Sequence, residues 1–175
     1  MKKQLTSPFS EEVIRSLRAG DTLELSGVIY TGRDAAHKRL VNMLSSGETL
    51  PVDLRDQAIY FVGPCPAPPG RPIGSAGPTT SGRMDAYSPK IIAECGLRVM
   101  IGKGNRSQEV VQAMKEYGCV YLAATGGAGA LIAKAIKKAE VVAFPDLGPE
   151  AIYRLELDHL PLVVAIDSEG NSLYK

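Results

Sequence analysis

LRVMIGKGNRSQEVVQAMKEYGCVYLAATGGAGALIAKAIKKAEVVAF, residues 97–144, decides the fold class. Residues 97–101, apolar apart from Arg98, read as a strand. Residues 106–117 carry helical periodicity, and 119–123 are an apolar run. The Ala-rich stretch 129–138 reads as a helix and 141–144 as a third strand. Strands and helices alternating in this order predict a parallel layer of α/β type.

Working outward, residues 89–95 predict a short helix and 58–62 (AIYFV) a buried strand. Residues 35–44 predict a helix closed by Gly47, and 22–30 alternate as a strand. Ser10 is placed to cap a short helix that opens with Glu11 and Glu12 and ends at Gly20-Asp21. Toward the C-terminus the pattern changes. Residues 152–157 and 161–166 read as separate strands, and 169–171 as a turn into a last short one. This meander predicts a second sheet. The expected fold class is α/β, a parallel sheet layer with helices plus a second small sheet.

Composition bounds the rest. The chain has 175 residues, which fits one domain over 1–175, and a formal net charge of +1. That balance gives no electrostatic case for nucleic acid or an anionic membrane as partner. No signal peptide or membrane-length apolar run is visible. Three cysteines, Cys65, Cys95 and Cys119, lie far apart. Their odd number suits a reducing, cytoplasmic setting better than a disulfide scaffold. With only two histidines and no C-x-x-C, a zinc site or a complete iron–sulfur ligand set within this chain is not expected.

Residues 63–83, GPCPAPPGRPIGSAGPTTSGR, are about half Gly and Pro. They exclude a helix or a central strand. A loop this long in a small domain reads as a functional loop or as a linker.

Four constellations could carry chemistry. Tyr30-Thr31-Gly32-Arg33-Asp34-Ala35-Ala36-His37 takes a strand through a turn into a helix. Arg33 at the helix mouth suits a carboxylate. Asp34 as a cap beside a solvated Arg33 is the plainer reading of those residues alone. Gly77-Pro78-Thr79-Thr80-Ser81-Gly82-Arg83-Met84-Asp85 offers hydroxyls, glycines and one cation, which fits an anion pocket or simply a polar turn. A helical turn there would bring Thr79 and Arg83 onto one face. Gly102-Lys103-Gly104-Asn105 joins a strand to a helix capped by Ser107, with Lys103 as a point charge. It lacks the Walker A spacing. Gly126, Gly127 and Gly129 miss the dinucleotide-binding spacing, so helix–strand packing or an interface is the better reading of them. Arg33, Arg83 and Lys103 at loop ends suggest a small dicarboxylate substrate.

YTGRDAAHKRL (30–40), GPTTSGRMD (77–85), IGKGN (101–105) and ELDHLPLVVAIDSEGNSLY (156–174) resemble the β subunit of the iron–sulfur-dependent class I fumarase and tartrate dehydratase hydro-lyases. The resemblance covers nearly the whole chain. It implies a swivelling β/β/α domain with the loop 63–83 at the active site. It implies a cluster-bearing α subunit that holds a [4Fe-4S] cluster through three cysteines of its own, its open iron acting as a Lewis acid. Metal ligands are then expected to be absent from this chain. Thr79 would be the base, with Arg83 and Lys103 in the catalytic set. Arg33, Arg83, Lys103, Thr80 and Asn105 would bind the substrate. His37 falls in a matching motif without an assigned role. The implied activity is reversible hydration of fumarate to malate in a hetero-oligomer, or homo-oligomer when isolated. An L-tartrate dehydratase β subunit is the alternative within the class. A non-catalytic α/β binding module is the alternative outside it.

Overall fold

The computed structural model describes residues 3–61, 81–124 and 134–174. Five strands run parallel, four of them at expected strands and one, β1, at a segment where no strand is expected. They are β1 (Lys3–Thr6), β2 (Thr22–Thr31), β3 (Ala58–Tyr60), β4 (Val99–Gly102) and β5 (Val120–Ala124), each parallel to the next. Three helices, α2 (Asp34–Ser45), α3 (Ser88–Cys95) and α4 (Gln108–Tyr117), pack on one face. A shorter α1 (Glu11–Ser16) begins as its sequence dictates, with Ser10 Oγ accepting from the Val13 N–H at 3.2 Å. It ends before Gly20 because Leu17 turns extended and buries its side chain. α4 is capped by Ser107 and stops at Gly118, whose φ of 80° a β-carbon would disfavour.

The apolar runs β3, β4 and β5 are buried on both faces, and their alternation separates two cores. Ala58, Tyr60, Val99, Ile101, Val120 and Leu122 point into one cluster, which Ile14 and Leu17 of the α1 segment also enter. Ile59, Met100 and Tyr121 point into the other, against Leu40, Ile91, Ile92 and Met114 of the helices. Truncating one of these fully buried Leu or Ile side chains to Ala costs on the order of 2–5 kcal/mol.

The C-terminal half departs from expectation in three ways. First, the second small sheet is not separate. β7 (Ile152–Ile166) pairs antiparallel with β5 and β2, so strands β2-β3-β4-β5-β7 close on themselves, and β6 (Ile136–Ala143) is added outside β7. Second, the strands expected at 152–157 and 161–166 are one element. His159, at φ 55°, marks the irregularity between its halves, and Pro161 stays in register opposite Glu24. Third, the Ala-rich helix expected over 129–138 is overridden at its end. Lys134 and Ala135 are helical, but Ile136 already pairs with Leu157 as a strand, and the strand expected at 141–144 in the parallel layer falls instead in β6, antiparallel to β7. Pairing with β7 outweighs the local propensity of an Ala- and Lys-rich stretch. Residues 129–133 lie outside the described residues, as does Val62 at the end of the predicted 58–62 strand. Among the described residues no helix is long and apolar enough to cross a membrane.

Candidate active site

The registers Thr31↔Tyr60, Tyr60↔Ile101 and Gly102↔Ala123 align the C-terminal ends of β2, β3, β4 and β5. Arg33-Asp34 and Lys103-Asn105 therefore leave the sheet along the same edge. In parallel α/β folds, open or closed, this end of the strands is where ligands commonly bind.

Arg33 occupies the N-cap position of α2 and Asp34 its first helical position, so Asp34 is not the cap. One N–H of the helix mouth is already taken, the Ala35 N–H donating to Glu150 Oε1 at 3.2 Å. Asp34 instead pairs with a second motif, its Oδ2 lying 2.7 Å from Arg83 Nη2. The other carboxylate oxygen, Asp34 Oδ1, and the neighbouring residue's Arg33 Nε are buried and have no hydrogen-bond partner among the described residues. Leaving such groups unpaired costs about 1–3 kcal/mol each.

His37 sits one turn along α2. Its Nδ1 lies 2.8 Å from the Arg33 carbonyl oxygen. A carbonyl only accepts, so Nδ1 carries the proton. Burial, aided by the charge of Arg106, lowers the imidazole pKa to about 4, so the ring is neutral. It packs edge-on to Phe61, with ring centroids 5.3 Å apart. His37 holds the Arg33 backbone and is not exposed to solvent.

The 3-10 turn Ser81–Met84 carries Arg83, whose side chain is 55% exposed. Lys103 and Asn105 are exposed after β4, and Lys103 has no ion pair among the described residues. Asn105 turns its Oδ1 inward to accept from the Arg106 N–H at 2.8 Å. The structure thus joins Arg83 to the Arg33-Asp34 segment and aligns Lys103 with them on one sheet edge. Thr79, Thr80 and residues 63–80 of the expected loop lie outside the described residues, as do Cys65 and Gly126, Gly127 and Gly129.

Sequence reasoning missed two residues. Glu150, from the 3-10 segment Pro145–Glu150, caps α2 across more than a hundred residues of chain. Arg106 is buried between the second and third motifs, with Nε donating to Asp85 Oδ1 at 2.7 Å. Its partners are scattered along the chain, and no local spacing announces them. Cys95 and Cys119 are buried, and burial pushes their thiols up to about 11 and about 12. Such thiols stay protonated near neutral pH.

With this edge in view, the likeness to known proteins is informative. The family described as Fumarase C-terminus matches residues 2–175. The chain is 39% identical to the aerobic class I fumarate hydratase of Salmonella typhimurium, over 100% of this chain and 31% of that protein. It is 42% identical to the anaerobic class I fumarate hydratase of Escherichia coli, over 100% of this chain and 32% of that protein. It is also 42% identical to a putative L(+)-tartrate dehydratase subunit beta of Methanocaldococcus jannaschii, over 95% of this chain and 88% of that protein. The chain spans about a third of the length of the fumarate hydratases it matches. A match that runs from residue 2 to residue 175, through every motif of the sheet edge, makes this chain a member of the Fumarase C-terminus family.

Proposed function

We propose that the chain is the β subunit of a heteromeric [4Fe-4S] hydro-lyase that hydrates fumarate reversibly to malate. The observation that carries the reading is the Arg83–Asp34 pair at the C-terminal edge of the sheet, next in sequence to Arg33, whose Nε is buried without a partner among the described residues. Cationic groups held at such an edge suit a dicarboxylate. The two thirds of the fumarate hydratases that this chain does not span leave room for a cluster-bearing α subunit. A relative named as a separate subunit beta supports the two-chain arrangement.

In this reading residues 1–175 act as one swivelling domain that closes on the α subunit in the cytoplasm. Arg33, Arg83 and Lys103 bind the substrate carboxylates, assisted by Thr80 and Asn105. Substrate takes the place of Asp34 opposite Arg83. In the dehydration direction Thr79, as its alkoxide, takes the proton from the carbon next to one carboxylate; the electron pair of that C–H bond forms the C=C bond as hydroxide leaves the neighbouring carbon, a departure that the partner's cluster, when bound, would assist as a Lewis acid. The cations stabilise the negative charge that builds on that carboxylate, and such electrostatic stabilisation commonly lowers the barrier more than any other single effect. The cluster belongs to the partner. Cys95 and Cys119, buried and with raised thiol pKa values, do not fit as its ligands.

The relative from Methanocaldococcus jannaschii favours a second reading, an L-tartrate dehydratase β subunit, because the chain covers 88% of it. The same cations serve both substrates. The test is anaerobic co-expression with the cluster-bearing subunit, followed by ultraviolet detection of fumarate with tartrate as competitor. Activity in the mixed sample alone is expected, with losses on the order of a hundredfold or more for Arg33→Ala, Arg83→Ala or Lys103→Ala. Unchanged malate dehydration in those variants refutes the assignment. Absence of both activity and co-purification favours a binding module without chemistry.

A further inference from the structure

Arg106 is the most completely enclosed charge next to the candidate site. Its side chain is 0% exposed. Nε donates to Asp85 Oδ1 at 2.7 Å, Nη2 to Ser88 Oγ at 2.7 Å, and Nη1 lies 3.3 Å from Met100 Sδ. The guanidinium is sandwiched between the rings of Phe61 and Tyr121, 5.0 Å from each centroid. These contacts reach into both site loops. Asp85 follows Arg83 by two residues, and its second oxygen accepts from the Ser107 N–H at 2.8 Å. Ser88 Oγ, held by Arg106, donates to the Met84 carbonyl at 3.0 Å. On the other side, the Tyr121 hydroxyl donates to the Gly104 carbonyl at 2.8 Å. The contacts that fix residues 83–85 and 103–107 therefore meet at this guanidinium.

We propose that Arg106, through Asp85, is a positioning residue that locks the loop carrying Arg83 to the loop carrying Lys103, setting the spacing of two substrate-binding cations. The inference rests on the reading of Arg83 and Lys103 given under the proposed function. Its physical basis is that burying an ion pair is expensive and often adds no stability over apolar packing. A fully buried guanidinium paired with the part-exposed Asp85 and bridging two functional loops instead specifies their geometry. Binding groups displaced by about an ångström lose on the order of a hundredfold in rate. Arg83 and Lys103 are themselves exposed, so their backbones must supply the order that their side chains lack.

The test uses the co-expressed complex with Arg106→Lys and, as a second variant, Asp85→Asn. Lysine keeps the charge but loses the fork that spans Asp85 and Ser88. Each variant is measured for kcat and KM with malate, and for hydrogen–deuterium exchange in the absence of substrate. The expected result is a KM raised about tenfold or more, with exchange rising together in segments 81–85 and 103–107 while α1 and β1 keep their protection. A KM within about twofold of the parent, or exchange rising in one loop alone, overturns the proposal. A uniform rise in exchange across the domain also overturns it, because it marks a general structural role. If the parent complex has no hydro-lyase activity, the proposed function fails, yet the exchange pattern still decides whether Arg106 couples the loops.

Discussion

His37 gives a stability prediction whose size follows from its burial. The ring is 1% exposed, its Nδ1–H is committed to the Arg33 carbonyl, and its pKa lies at about 4 against an ordinary 6.5. The folded state therefore resists protonation that the unfolded state accepts freely. Above pH 6.5 both states are neutral and nothing is lost. Between pH 6.5 and about 4 the unfolded chain binds the extra proton, so stability falls as pH falls. The slope approaches about 1.4 kcal/mol per pH unit, and the total loss from this residue approaches roughly 3 kcal/mol. The assay is urea denaturation of the parent and of His37→Gln at steps from pH 7.5 to pH 4.5. Glutamine keeps a donor for the Arg33 carbonyl but does not titrate. The parent is expected to lose stability over this range more steeply than the variant. Equal slopes, or an NMR titration of His37 near pH 6.5, would refute the argument that burial keeps this ring neutral.

Three further outcomes follow from local geometry. Gly27, at φ 97°, sits where β2 slips register against β7, and an added β-carbon would meet Ser7 Oγ at 2.6 Å. Gly27→Ala is therefore expected to destabilise by roughly 1–2 kcal/mol from the backbone alone, read as a lower denaturation midpoint at unchanged slope. Cys95 and Cys119, with thiols pushed up to about 11 and about 12, should react with a disulfide reagent at pH 8 only once the chain unfolds. Fast modification of both in the native protein would contradict their burial. Ser10→Ala removes the bond to the Val13 N–H and should cost about 1 kcal/mol, which Ser10→Asp should largely restore in the same melting assay.

Most of the parallel half is legible in the sequence because its signals are local; β1, a four-residue strand with one buried side chain, is too short to show a period and is missed. AIYFV and, apart from Arg98, LRVMI are apolar runs bounded by breakers, and Ser10 and Ser107 cap helices that follow directly. The C-terminal half is not, because its structure is set by distant pairings. Residues 134–138 prefer a helix when read alone, and only the neighbouring β7 draws Ile136 into a strand. Pro161 suggests a break, yet the strand passes through it with the irregularity at His159. The site divides in the same way. Arg33, Arg83 and Lys103 can be found as cations at loop ends. That Asp34 pairs with Arg83, and that Arg106 is buried beneath both loops, depends on contacts between segments far apart in the chain.

The closure by β7 has a consequence for how the chain comes to be folded. Thr22 of β2 lies opposite Val163, about 140 residues later. Bringing such distant segments together costs chain entropy before any contact rewards it, which slows folding. During synthesis β2 can align with β1 and β3, but its other edge waits for a strand made near the end of the chain. Until then the ring is open and its apolar interior faces water. A nascent chain at that stage presents both an unpaired strand edge and an unfilled core, the combination that invites misassociation. The ring is thus sealed late, and the window before sealing is where a chaperone would matter most to this domain.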